Sequence, residues 1–135
     1  MGEPIDPDVV ALAGRVFDLA RGGRTGELAS YLDAGVPPDL TNGSGDTLLI
    51  LAAYHGHPGA VAALLARGAD PDRVNDRGQT ALGAAVFRRS PESVRALLDA
   101  GADPDLGRQG GRATAAFFDL PDMAALLPAA PGPAS

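Results

Sequence analysis

The side chains best suited to chemistry in this chain are two histidines, His55 and His57, and two Asp-x-Asp pairs, Asp70/Asp72 and Asp103/Asp105. Imidazole titrates near neutral pH and ligates metals, so a histidine pair invites a general-base or metal reading. The spacing argues against it. Residues i and i+2 point to different sides of a helix, and the chain has no Cys and no third His to complete a ligand set. The absence of Cys also excludes disulfides and thiolate catalysis. All 11 basic residues are Arg, which removes a Lys nucleophile, a Schiff base and a P-loop lysine. The Asp pairs have the composition of hard-cation ligands or acid/base carboxylates. Yet the same pair occurs twice in the same local sequence, and a catalytic pair needs no copy, whereas a turn-forming Asp does. Three glycine-rich stretches, at 22–26, 42–45 and 107–112, lack the Lys-Ser/Thr pair of a phosphate cradle and fall where a turn is needed. No catalytic residue, cofactor or metal is expected.

The elements that carry these residues follow from self-similarity. Gly45-Asp46-Thr47-Leu48-Leu49 recurs as Gly78-Gln79-Thr80-Ala81-Leu82, and at the same offset Ala52 falls on Ala85, Val61 on Val94 and Leu64-Leu65 on Leu97-Leu98. Gly68-Ala69-Asp70-Pro71-Asp72 likewise falls on Gly101-Ala102-Asp103-Pro104-Asp105. Within a unit Leu49, Ala52 and Ala53 form one helical stripe, and Val61, Leu64 and Leu65 a second. Thr47 and Thr80 are placed to cap the first helix, with Pro58 and Pro91 opening the second and Ser90 its N-cap. Gly68 and Gly101 end it in the left-handed conformation. The turn-rich run from Asp70 to Gly78 reads as an extended hairpin.

A faded copy precedes this pair. Asp6-Pro7 caps a helix carrying Val9, Val10, Leu12, Val16, Phe17 and Leu19, and Leu28, Tyr31 and Leu32 form the second stripe. Another copy follows, with Ala113 to Leu120 as a shortened first helix and Met123, Leu126 and Leu127 as the second stripe. Leu126-Leu127 follow Leu97-Leu98 by less than a full period, so this unit is truncated. Phe117 and Phe118 are expected to cover the last helix pair. The expected organisation is one domain over 1–127, with units at about 7–41, 42–74, 75–107 and 108–127. Residues 128–135, rich in Pro and Ala, read as a disordered tail.

Gly-x-Thr-x-Leu, Ala-Ala-x-x-Gly-His-x-x-x-Val-x-x-Leu-Leu and Gly-Ala-Asp-Pro-Asp, repeated at this offset, resemble the ankyrin repeat over roughly residues 7–127. The resemblance implies an all-α solenoid of about four stacked helix-turn-helix pairs joined by β-hairpin-like loops. Two departures stand out. The family's Thr-Pro-Leu-His becomes Thr47-Leu48-Leu49-Ile50 and Thr80-Ala81-Leu82-Gly83, and its Gly-His turn becomes Arg89-Ser90 in the second unit. Both imply weaker polar ties between repeats. In the first of the two units His57 keeps the Gly-His turn, where the resemblance implies structural hydrogen bonding.

The resemblance also implies a concave recognition face built from finger tips and the exposed side of the first helices. Carried over position by position, that face comprises Arg21, then Gly43, Ser44, Asp46, Tyr54 and His55, then Asp76, Arg77, Gln79, Phe87 and Arg88. Tyr54 and Phe87, like His55 and Arg88, are one period apart, so two aromatic/polar pairs should stand side by side. Tyr and Arg are enriched among residues that dominate interface energetics. The expected function is therefore a non-catalytic module, an adaptor or inhibitor, binding one protein partner. Net charge of −6 disfavours nucleic acid, and no segment approaches the ~20 apolar residues of a membrane span. A soluble cytoplasmic monomer is expected. Two alternatives remain open: a small hydrolase-like enzyme using His55 with Asp46, which needs a cavity enclosing both, and a self-assembling structural protein using Val9, Val10 or Leu126.

Overall fold

The computed structural model describes residues 7–129, in eight helices. These are α1 (Pro7–Gly22), α2 (Thr25–Asp33), α3 (Leu48–Tyr54), α4 (Pro58–Ala66), α5 (Ala81–Phe87), α6 (Pro91–Asp99), α7 (Gly111–Phe117) and α8 (Pro121–Ala124). Successive helices pair within a repeat, α1 packs on α3, α3 on α5 and α5 on α7, while α2, α4 and α6 form the second layer. This is an all-α repeat solenoid.

Local chemistry sets the helix ends. Thr47 Oγ1 accepts the Ile50 N–H at 3.0 Å, and one period later Thr80 Oγ1 accepts the Gly83 N–H at 3.0 Å. Ser90 does the same for Ser93 at 3.4 Å, ahead of Pro91. In the last repeat Gly110 stands where the capping Thr should be, and α7 has no side-chain cap.

The inner helices are buried far more completely than one stripe requires. Leu48 through Ala53 are all buried in α3, as are Ala81 through Val86 in α5. A helix with neighbours on both sides and a partner beneath is apolar nearly all round, so amphipathic periodicity understates its core. α1 differs. It is 16 residues long, more than twice the length of α3, α5 or α7, and its first half overhangs the stack. Val16, Phe17 and Leu19 are core, but Val9, Val10 and Leu12, expected on the same stripe, are exposed.

The loops form isolated bridges, Thr41 with Thr47 and Gln79 with Gln109, and there are no strands among the described residues. Phe117 and Phe118 do not cover the last pair: they are 81% and 49% exposed, and Met123 and Leu127 close that end of the core. Pro128 is exposed, its carbonyl accepting from Arg112 Nη2 at 2.9 Å; Asp6 and residues 130–135 of the expected tail lie outside the described residues.

Candidate protein-interaction face

The face is assembled at the C-terminal ends of the first helices. Tyr54 and Phe87 are the last residues of α3 and α5, and His55, Arg88 and Phe118 are the C-caps of α3, α5 and α7. The Tyr54 and Phe87 rings are stacked, with centroids 5.9 Å apart and an interplanar angle of 8°. Phe87 in turn meets Phe118 edge to face at 5.3 Å, and Phe118 meets Phe117 at 4.9 Å. Such pairs contribute about 0.5–1.5 kcal/mol beyond area burial. All of these rings nonetheless remain well exposed.

Phe118 falls outside the face expected from the sequence. α5 starts at Ala81 and α7 at Gly111, short of a full period, so counting by the period misses it. Aligning the helix C-caps instead sets Phe118 on Arg88.

Arg88 bridges two repeats: its Nε donates to the Tyr54 carbonyl and its guanidinium carbon lies 5.7 Å from the Tyr54 ring centroid. His55 is half-buried and packs edge to face on Tyr54 at 5.4 Å. Desolvation, then the positive charges of Arg88 and Arg21 and the neighbouring His57, push its pKa below the ordinary imidazole value. Arg21 itself is paired with Asp18 at 2.9 Å.

The finger residues divide into exposed and structural. Ser44, Asp76 and Arg77 are exposed, as is Gly43. Asp46, expected at an exposed tip, is only 6% exposed. Its Oδ1 accepts from Asn75 Nδ2 at 2.7 Å and lies 3.5 Å from Arg77 Nη2. Asn75 Nδ2 also donates to Gln79 Oε1, and Asn75 Oδ1 receives the N–H groups of Arg77 and Gln79. Asn42 closes the preceding finger in the same way, taking the N–H groups of Ser44 and Asp46. Asp46 is thus a tie between fingers, and half-buried Gln79 is part of the same network.

His55 and Asp46, the pair of the hydrolase-like alternative, are not hydrogen-bonded to each other. An open hollow of about 380 Å³ is lined by both Asp46 and His55. There the Asp46 carboxylate is engaged by Asn75 and Arg77, and the charges acting on His55 are positive. Among the described residues no group of three or more His, Cys, Asp or Glu is placed to hold a metal, and no helix is long and apolar enough to cross a membrane. The Asp pairs hold turns: Asp70 Oδ1 accepts the Asp72 N–H, and Asp72 Oδ1 the Asp103 N–H of the next repeat.

His57 does what its turn implies, its Nε2 lying 2.7 Å from the Arg21 carbonyl oxygen of the preceding repeat. A Cβ at Gly23 would collide with this ring, so the first repeat needs glycine there for space as well as for its φ of 67°. In the next unit the Ser90 hydroxyl accepts only from its own helix.

Comparison with known proteins agrees with this architecture. A family model for ankyrin repeats in three copies matches residues 17–107. A protein of Pseudomonas aeruginosa described as a putative ankyrin repeat protein is 45% identical over 53 residues, 39% of this chain. The match spans 31% of that relative's length. Ankyrin repeats are generally protein–protein interaction modules and typically non-catalytic. With three matched copies running from the middle of α1 to the loop after α6, this chain belongs to the ankyrin-repeat family.

Proposed function

We propose that the chain is an adaptor or inhibitor, acting as a cytoplasmic monomer that grips one protein partner on its concave face. The observation that carries the reading is the aromatic row Tyr54, Phe87 and Phe118, with side chains 39%, 43% and 49% exposed at the ends of well-packed helices. A folded chain gains nothing in core burial from rings held at its surface, and contiguous exposed apolar groups rimmed by polar ones mark interaction sites. Arg88, pinned across two repeats, adds a pre-ordered cation beside the rings, so little entropy is lost when it engages a partner.

Affinity capture from the source organism's soluble lysate tests this. Wild type and a Tyr54→Ala/Phe87→Ala/Arg88→Ala variant of equal helicity are compared as baits. A protein retained by wild type alone supports the reading; identical retention by both contradicts it.

A further inference from the structure

The concave face carries two features beyond its aromatic row. The first is an open hollow of about 230 Å³ walled by Phe87, Phe118 and Tyr54 together with Gln79 and Gln109, and floored by Gly83, Ala84 and Thr114. Its floor is buried and close-packed: a Cβ at Gly83 would collide with the Gln109 carbonyl oxygen. A cavity of about 150 Å³ lined by apolar side chains suffices for benzene, so this hollow has room for one aromatic side chain. The second feature is charge. Arg88 lies at the Tyr54 end of the row, and Arg108 lines the adjoining hollow with Phe117 and Phe118. Six arginines of the described residues have carboxylate partners within ion-pair distance, and Arg88 and Arg108 are not among them.

Arg15, Arg73 and Arg95 likewise have no carboxylate among the described residues within ion-pair distance, in a chain of net charge −6. Several of its acids are engaged: Asp39, Asp70, Asp72 and Asp103 on backbone N–H groups of the loops, and Asp46 inside the finger network, while exposed Asp119 follows Phe118 directly. Asp76 is the exposed acid nearest in sequence to the Arg77 finger tip.

Resting on the interaction-module reading above, we propose that the partner presents an acidic segment with one aromatic residue. Its ring enters the hollow between Phe87 and Phe118, and the carboxylates on either side of it pair with Arg88 and Arg108. Nucleic acid fits less well. The chain's overall charge opposes it, and Tyr54 and Phe87 each turn one face to the other rather than to a base.

The test is fluorescence anisotropy with a labelled peptide Glu-Asp-Glu-Asp-Phe-Glu-Asp-Glu-Asp. Companion probes replace Phe by Ala, replace every acid by Lys, or substitute an oligothymidine of equal charge. The acidic Phe peptide should bind, weaken on adding salt, and lose about tenfold or more in affinity with the Ala peptide or with Arg88→Glu/Arg108→Glu. Arg88→Lys/Arg108→Lys should retain most of the binding, which separates charge from a folding defect. No peptide binding, equal binding of the Lys peptide, or tighter binding of the oligonucleotide would overturn the proposal. The module reading is decided separately: a lysate partner lost with Phe87→Ala but indifferent to both Arg reversals overturns the acidic chemistry and leaves the concave face standing, whereas a partner indifferent to Phe87→Ala as well overturns the face itself.

Discussion

Arg88 lies over the ring of Tyr54, 5.7 Å from its centroid, and donates to the carbonyl of that same residue in the preceding repeat. The same step recurs one repeat on, where Phe118, the C-cap of α7, packs on Phe87, the last residue of α5. Each repeat thus packs its C-cap residue against the aromatic of the one before it, leaving the ring partly exposed. The row is ordered by the solenoid itself, which is how a stack of thin Ala- and Leu-filled layers can present rigid rings to a partner.

The turn at Arg89 is strained. Its φ is 54°, where the equivalent Gly56 has 79° without penalty. Arg89→Gly should stabilise the fold by about 1 kcal/mol, since the left-handed conformation costs a non-glycine residue about that much. The Arg89–Asp122 pair it removes is exposed and 3.7 Å long, and contributes little. Asp119, at φ 51°, should gain less from glycine because Asp tolerates this region better. Thermal melts of the two variants check the order.

His57 joins the first two repeats through the Arg21 carbonyl. His57→Ala leaves that acceptor unpaired in a half-buried site and should cost about 1–2 kcal/mol in chemical denaturation. A value near zero would show the bond to be dispensable.

Asn75 holds four polar groups in two fingers at once. Asn75→Ala leaves the buried Asp46 carboxylate only its 3.5 Å contacts with Arg77 and Asn42 and frees two backbone N–H groups, with an expected loss of about 2–3 kcal/mol. Amide exchange at Arg77 and Gln79 should accelerate in the same variant, locating the damage in the finger.

His55 makes stability depend on pH. Its folded pKa lies below the unfolded value, so the unfolded chain binds the proton first as pH falls. The stability associated with the neutral ring is fully present above about pH 6.5 and declines as pH drops from there toward the lower folded value. His55→Gln should flatten that part of the melting-temperature profile. An NMR titration of the His55 ring should give a midpoint below that of an unfolded peptide; a midpoint above it would contradict the desolvation and cationic surroundings described here.

The repeat register, the helix caps at Thr47, Thr80 and Ser90, and the exposure of Tyr54, Phe87 and Arg88 are legible in the sequence because each rests on a local rule applied at a fixed period. Phe118 is hidden by the shortened last unit, which breaks the counting but not the C-cap geometry. Asp46 escapes for another reason. A finger-tip carboxylate turns inward or outward according to its partner, and Asn75, in the next finger, is recognisable as that partner only once the repeats are stacked. Val9, Val10 and Leu12 continue a helical stripe in sequence, but a stripe does not reveal where the neighbouring repeat stops.

Occupation of the concave face by a protein partner is tested most directly by hydrogen–deuterium exchange of the chain with its captured partner. Slowed exchange is predicted in the finger around Asp76–Gln79, at the C-terminal ends of α3 and α5, and from Arg108 to Phe118, with α2, α4 and α6 unchanged. Protection confined to α2, α4 and α6 would place the partner on the opposite layer and contradict a concave binding face.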